Sequence, residues 1–239
     1  MPTLKRPRHG SLQFWPRKRV RKALPSVNWS TIQTKEEGIL GFIAYKVGMA
    51  TAIVKDNTDK SMTKGRKVTK PVTILEAPNI KVYSIRFYKN GQVMNELVVS
   101  RDKELKRILK VPKEIGKADD LDKVKDYDDL RVIVYSLPKQ AEIKKTPDII
   151  EVAVNAKDKL NYVKGLIGKE ISIKDVLKWG LVDVRGLTKG KGLEGAVPRF
   201  HIELKQHKSE KGTRRVGSLG DWKGNTWRVA HAGQMGYHT

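Results

Sequence analysis

Cysteine is absent from all 239 residues, which excludes disulfides, thiolate metal sites and cysteine nucleophiles and agrees with a reducing compartment. Carboxylates are scarce: 26 Asp and Glu stand against 49 Lys and Arg, a formal net charge of +23 with a pI near 10.1. An excess of that size destabilises a compact monomer by self-repulsion unless a polyanion absorbs it. Apolar residues are few, 38% of the chain, so part of it is expected to lie outside any core. No run of about 20 apolar residues occurs, so no membrane-spanning segment is expected. The basic amino terminus has no apolar stretch behind it, so it does not read as a secretory signal. The basic segments carry too much Gly and Pro for a membrane-surface helix. Nucleic acid is left as the leading partner.

The charge is unevenly placed. Residues 1–35 hold nine basic residues and no acid, residues 36–184 hold 29 basic and 22 acidic, and residues 185–239 hold 11 basic and 4 acidic. Of the 23 net charges, 16 therefore sit in two terminal segments, which act as basic appendages on a body of ordinary charge density. The first appendage contains Arg6, Arg8, Arg17, Lys18 and Arg19, with prolines at 2, 7, 16 and 25 that oppose a continuous helix. An extended cationic strand ordered against phosphates is expected. A nuclear-import signal or a solvated tail is the plainer alternative. Phe14 and Trp15 inside the tract favour RNA, because aromatics can stack on unpaired bases.

From Gly38 the pattern becomes strand-like, with short apolar runs at 39–45, 49–54, 72–76 and 81–88. Asn90-Gly91 reads as a hairpin turn into 92–99. Asp102–Leu109 has a helical apolar face, and Leu130–Leu137 reads as a strand. Asp158 opens one helix that Gly168 should end; Ser172 and Asp175 form a capping box for a second, closed by Gly180. Leu181–Arg185 then returns as a strand. The six aspartates between Asp119 and Asp129 lack the Gly and closing Glu of a calcium loop and read as a solvated or protein-facing surface. The expected class is mainly β: a barrel built from 38–100 and 179–198, with an α/β insertion at 101–178.

Residues 186–236 contain 10 of the 20 glycines. The loop from Gly186 to Gly195 approximates two phosphate-binding motifs. Its spacing is one residue short of a Walker loop, and Gly192 replaces the metal-binding hydroxyl. Gly190, Gly192 and Gly195 do fit a dinucleotide fingerprint, but Pro198 should interrupt the helix that motif needs, and no βαβ series surrounds it. A backbone that passes close to phosphates, with Lys189 and Lys191 supplying charge, fits better. Beyond it come Arg199, Lys205, His207, Lys208, Lys211, Arg214, Arg215, Arg228 and His238, interleaved with Trp222 and Trp227. The five histidines have no metal spacing and no triad signature, so no catalytic constellation, metal or cofactor is expected.

Several ordered motifs resemble one family: Arg6-Pro7-Arg8-His9-Gly10-Ser11-Leu12, Gly41-Phe42-Ile43-Ala44-Tyr45-Lys46-Val47-Gly48-Met49, Thr188-Lys189-Gly190-Lys191-Gly192, Gly217-Ser218-Leu219-Gly220-Asp221-Trp222 and Ala232-Gly233-Gln234-Met235-Gly236-Tyr237-His238. Together they are similar to the large-subunit ribosomal protein L3 family in its archaeal and eukaryotic form, from residue 2 to 239. The resemblance implies a translation-type six-stranded β-barrel in a cytoplasmic ribosome, bound to large-subunit rRNA and to neighbouring ribosomal proteins, with no enzymatic activity. It implies an arm over 1–37 threading into RNA, and a finger over 199–239 reaching toward the peptidyl-transferase centre with Trp222 near its tip. Such proteins join the subunit early. Gln234 matches a position that is methylated in the bacterial branch. Family members continue with further barrel strands after Tyr237-His238, so the resemblance implies that these lie on a second chain or on a longer form of this one.

Overall fold

Alternating apolar positions need a sheet with a buried face, and the strand Ile80–Lys89 supplies its centre. The computed structural model describes residues 22–32, 34, 36–178, 180–187, 189–206, 208, 211–217 and 234–237. Two compact units divide the chain: Ser26–Val182, and a second formed by Met1–Pro25 with Asp183–Thr239.

In the first unit the strands are β1 (Gly38–Ile39), β2 (Tyr45–Lys55), β3 (Lys67–Glu76), β4 (Ile80–Lys89), β5 (Gln92–Val98), β6 (Asp129–Ser136) and β7 (Ile149–Asn155). Five of them form one antiparallel sheet in the order β1-β7-β6-β4-β5, while β2 and β3 form a separate two-stranded ribbon. The mainly-β class is thus observed. β6 and β7 come from the stretch expected as an insertion and share the sheet with β4 and β5. The described strands form an open sheet and ladders.

The Asn90–Gly91 turn is as expected: both residues have positive φ, 50° and 75°, and Lys89 pairs with Gln92, the signature of a two-residue primed turn. A register shift between Val82 and Ser84 adds one residue to β4. That bulge lets Ile80 and Val82 before it, and Ile85 and Phe87 after it, join the same core despite their spacing. Trp29, Ile39, Val163, Ile171 and Val176 close this core from outside the central strands. The opposite face carries a smaller core of Tyr83, Leu105, Ile133, Tyr135 and Leu137.

Two short helices complete the unit, α1 (Lys159–Lys164) and α2 (Ile173–Val176). The Asp158 carboxylate accepts the Asn161 backbone N–H at 3.2 Å, capping α1. The Ser172/Asp175 capping box forms as expected. Both helix ends differ from expectation, as do two other segments. The helix α1 ends before Gly165 rather than at Gly168, and α2 before Leu177 rather than at Gly180. Residues 103–107 form a single short 3-10 helix rather than a longer helix over 102–109, and it buries Leu105 in the smaller core. Leu181–Arg185 is not paired as a strand, and Leu181 remains 93% exposed.

Beside the smaller core the sheet carries a charged network. Glu151 accepts hydrogen bonds from Arg86 Nη1 (2.8 Å), Tyr88 Oη (2.8 Å) and Arg131 Nη1 (3.2 Å). Arg86 Nε also donates to Glu96 at 2.7 Å, and Asp129 accepts from Arg131 and Lys159. Burial pushes the Glu151 carboxyl up, but its three donors outweigh that and hold it below its ordinary value. Asp129 behaves likewise: burial opposes, and Lys159 and Arg131 prevail.

Two outcomes follow from this packing. Phe87→Ala removes a fully buried ring that stands edge-on to Tyr127 at 5.0 Å; chemical denaturation is expected to show a loss of about 3–5 kcal/mol. The depressed carboxyls of Glu151 and Asp129 contribute stability that is fully present above their ordinary values of 4.5 and 3.8. That stability is lost as pH falls through the lower native values. Glu151→Gln is therefore expected to be less stable at neutral pH and to lose less on further acidification, measured by thermal melts from pH 7 to pH 3.

Candidate nucleic-acid interface

Among its described residues, the second unit is organised by glycines and by Arg199. Its described elements are β8 (Leu193–Glu194), α3 (Ala196–Phe200) and β9 (Gly236–Tyr237). β8 and β9 pair antiparallel, Leu193 opposite Tyr237 and Glu194 opposite Gly236, so the stretch after Gly195 returns to its starting point near Gln234. Pro198 does not interrupt a helix here, as its sequence position suggests, but lies inside α3. Proline is tolerated in a first turn, where its missing N–H has no partner to lose. The helix stops at His201, whose φ of 53° is left-handed. One turn of helix beside an antiparallel ladder is not a dinucleotide fold.

Arg199 holds the two ends together. Its Nη1 donates to the Gln234 carbonyl oxygen at 2.9 Å, and its guanidinium carbon lies 5.0 Å from the Phe200 ring centre. A Cβ at position 236 would fall 2.6 Å from Arg199 Nη1, so Gly236 is the residue that admits the guanidinium. The Arg199 Nε is buried and has no hydrogen-bond partner among the described residues. Arg199, expected as an RNA contact, is thus engaged within the chain through part of its guanidinium.

The other basic residues are placed differently. The Lys205 N–H donates to the Thr213 carbonyl at 3.0 Å, closing a loop that carries Lys208 and Lys211, and Arg214 and Arg215 follow directly after it. These four are exposed, as are Lys189 and Lys191, and no described carboxylate lies within ion-pair distance of any of the six. Arg215 folds over Gly212, where a Cβ would stand 2.9 Å from its Nε. Lys189, Lys191, Lys208, Lys211, Arg214 and Arg215 can meet a polyanion without first breaking an ion pair to a described carboxylate. Gln234 is half-buried beside the Arg199 contact. Arg6, Arg8, Arg17, Lys18, Arg19, His207, Trp222, Trp227, Arg228 and His238 lie outside the described residues.

Among the described residues, no group of His, Cys, Asp and Glu is arranged to hold a metal ion, and no helix is long and apolar enough to cross a membrane. The glycines that make room for these arginines, Gly212 and Gly236, have no chemical signal of their own in the sequence. Their signal is the glycine density itself, which reads equally as close phosphate approach.

Comparison with known proteins gives one answer over the full length. Residues 1–239 match the family model of ribosomal protein L3. The large ribosomal subunit protein uL3 of Methanocaldococcus jannaschii is 40% identical over 254 aligned positions, covering 98% of this chain and 75% of that protein. The corresponding protein of Nanoarchaeum equitans is 41% identical, covering 97% of this chain and 74% of its own length. That of Methanobrevibacter smithii is 39% identical with the same coverage. The chain belongs to the ribosomal protein L3 family.

Proposed function

We propose that this protein is a structural, non-enzymatic constituent of the cytoplasmic large ribosomal subunit that binds large-subunit rRNA and supports early subunit assembly. The observation that carries the reading is the match over residues 1–239, and the exposed cations of the Lys205–Thr213 loop agree with it. In this reading Arg6, Arg8, Arg17, Lys18 and Arg19 thread into RNA as an arm. Lys189, Lys191, Lys205, His207, Lys208, Lys211, Arg214, Arg215, Trp227, Arg228 and His238 contact phosphates and bases. Arg199 and Gln234 hold the base of a finger over 199–239 whose Trp222 points toward the peptidyl-transferase centre. Neighbouring ribosomal proteins are its other partners.

The test is sedimentation of native large subunits through a high-salt gradient, with intact-mass spectrometry of the proteins that remain bound. A retained chain carrying this sequence supports the reading, and its mass shows whether further strands belong to the same polypeptide or to a co-migrating one. Absence of the chain from washed subunits overturns it.

Two further outcomes are expected. With six to ten phosphate contacts, affinity for purified large-subunit rRNA falls about 10³–10⁵-fold between 50 and 200 mM salt; a flat salt response by filter binding contradicts the phosphate-contact account. Trp222→Ala leaves the chain in assembled subunits and slows the tRNA-facing steps of translation in a reconstituted system. Unchanged peptide synthesis rules out the finger assignment.

A further inference from the structure

We propose that Arg199 is a latch that ties together the two ends of the segment from Gly195 to Met235 before any RNA is bound. Its closure stands on the geometry alone, while its use in meeting RNA rests on the ribosomal reading above. Without a partner, the two ends have reasons to separate. Residues 195–235 hold 8 basic side chains against 3 acidic ones, so drawing the segment together gathers like charges. Closing a loop of roughly 40 residues costs conformational entropy as well. The ladder at the base is short, with Leu193 opposite Tyr237 and Glu194 opposite Gly236. A two-stranded ladder is marginal in water even when it is longer.

Arg199 supplies what the ladder lacks. α3 follows β8 with only Gly195 between them, and the Arg199 N–H donates to the Gly195 carbonyl at 3.3 Å. The arginine is thereby carried on one end of the ladder. Its Nη1 reaches the Gln234 carbonyl at the other end, 35 positions away in sequence. A charged donor makes this hydrogen bond stronger than one between neutral groups. The Phe200 ring, 5.0 Å from the guanidinium carbon, adds a second contact. The grip is incomplete, because the buried Nε has no acceptor among the described residues and a buried donor without one costs free energy. That cost keeps the latch reversible.

Gly236 is the notch into which the latch fits. The three atoms nearest to a Cβ built there all belong to the Arg199 guanidinium, at 2.6, 2.9 and 3.3 Å. They are the far end of a flexible side chain, and the φ of Gly236 is not positive. Gly236→Ala therefore displaces the guanidinium rather than the ladder. A segment closed in advance meets RNA with part of its ordering cost already met, whereas an open one would be ordered only on binding.

The absence of cysteine makes closure measurable. Leu193 and Tyr237 are exposed and directly opposite, so Leu193→Cys with Tyr237→Cys sets two thiols within disulfide reach across the ladder. In a glutathione redox buffer the RNA-free full chain is expected to form this disulfide, and the equilibrium gives the effective concentration of the two thiols. Gly236→Ala and Arg199→Met are each expected to lower that concentration about tenfold or more. Together they are expected to lower it no further than either alone, because both break one contact. An undiminished value in the two variants, or losses that multiply, overturns the latch. So does a disulfide that forms only after purified archaeal large-subunit rRNA is added. Hydrogen exchange over 193–194 and 236–237 checks the chain without cysteines; exchange no slower than in Gly236→Ala equally overturns the latch. The ribosomal reading fails separately, if the reduced chain does not bind that rRNA while the closure measurements hold.

Discussion

Mutual repulsion among 49 basic side chains that face only 26 carboxylates is the constraint on which the rest of this structure depends. The folded body answers it by placing carboxylates where they hold cations inward. Glu151 collects Arg86, Arg131 and Tyr88 on the sheet, and Asp129 shares Arg131 with Lys159. Burial makes such pairs costly, and at Glu151 the three donors outweigh that desolvation and hold the carboxyl below its ordinary value. Among the described residues, exposed surplus cations sit on the β2–β3 ribbon and on the segment from Lys205 to Arg215.

The aspartates at 119–129 follow the same rule at short range. In the sequence they read as a solvated or protein-facing patch. In the fold Asp120 pairs with Lys123, Asp122 with Lys164 at 2.7 Å, and Asp126 with Lys89. Asp128 accepts the Asn90 N–H at 2.7 Å, tying this segment to the turn between β4 and β5. The patch is therefore a set of local fasteners for a turn and a short helix.

What is legible in the sequence is what short-range chemistry decides. Asn90-Gly91, Asp158 and the Ser172/Asp175 box each act within a few residues, and each is found in place. The β7 strand is not legible: Glu151 breaks its apolar run, and the partners that justify a carboxylate there lie far away in sequence, at Arg86 and Arg131. The bulge at Val82–Ser84 is hidden for a related reason, because only the pairing with β6 reveals the extra residue. Leu181–Arg185 has strand chemistry but no ladder partner among the described residues, and β-propensity without pairing leaves the backbone unsatisfied by a sheet. The ribbon's charge disappears on averaging over 36–184, where internally paired acids cancel distant lysines in a count but not in space.

The glycines of the carboxy-terminal segment divide by what a side chain would meet. At Gly186, Gly190 and Gly195 an added Cβ would meet nothing within 4 Å, so their backbone is open to a close-approaching ligand. At Gly212 and Gly236 it would meet a guanidinium, that of Arg215 at 2.9 Å and that of Arg199 at 2.6 Å. One reading of the glycine density, backbone near phosphate, therefore covers only the first group. The second group makes room for arginines, whose planar forks gain from fixed geometry in a way a lysine ammonium does not. Arg199 uses that geometry to bind the Gln234 carbonyl and bring the start of the segment to its end. The lysines at 189, 191, 208 and 211, flexible and unpaired with any described carboxylate, are suited to neutralising phosphate. Position and contact are thus divided between residue types that a charge count treats as the same.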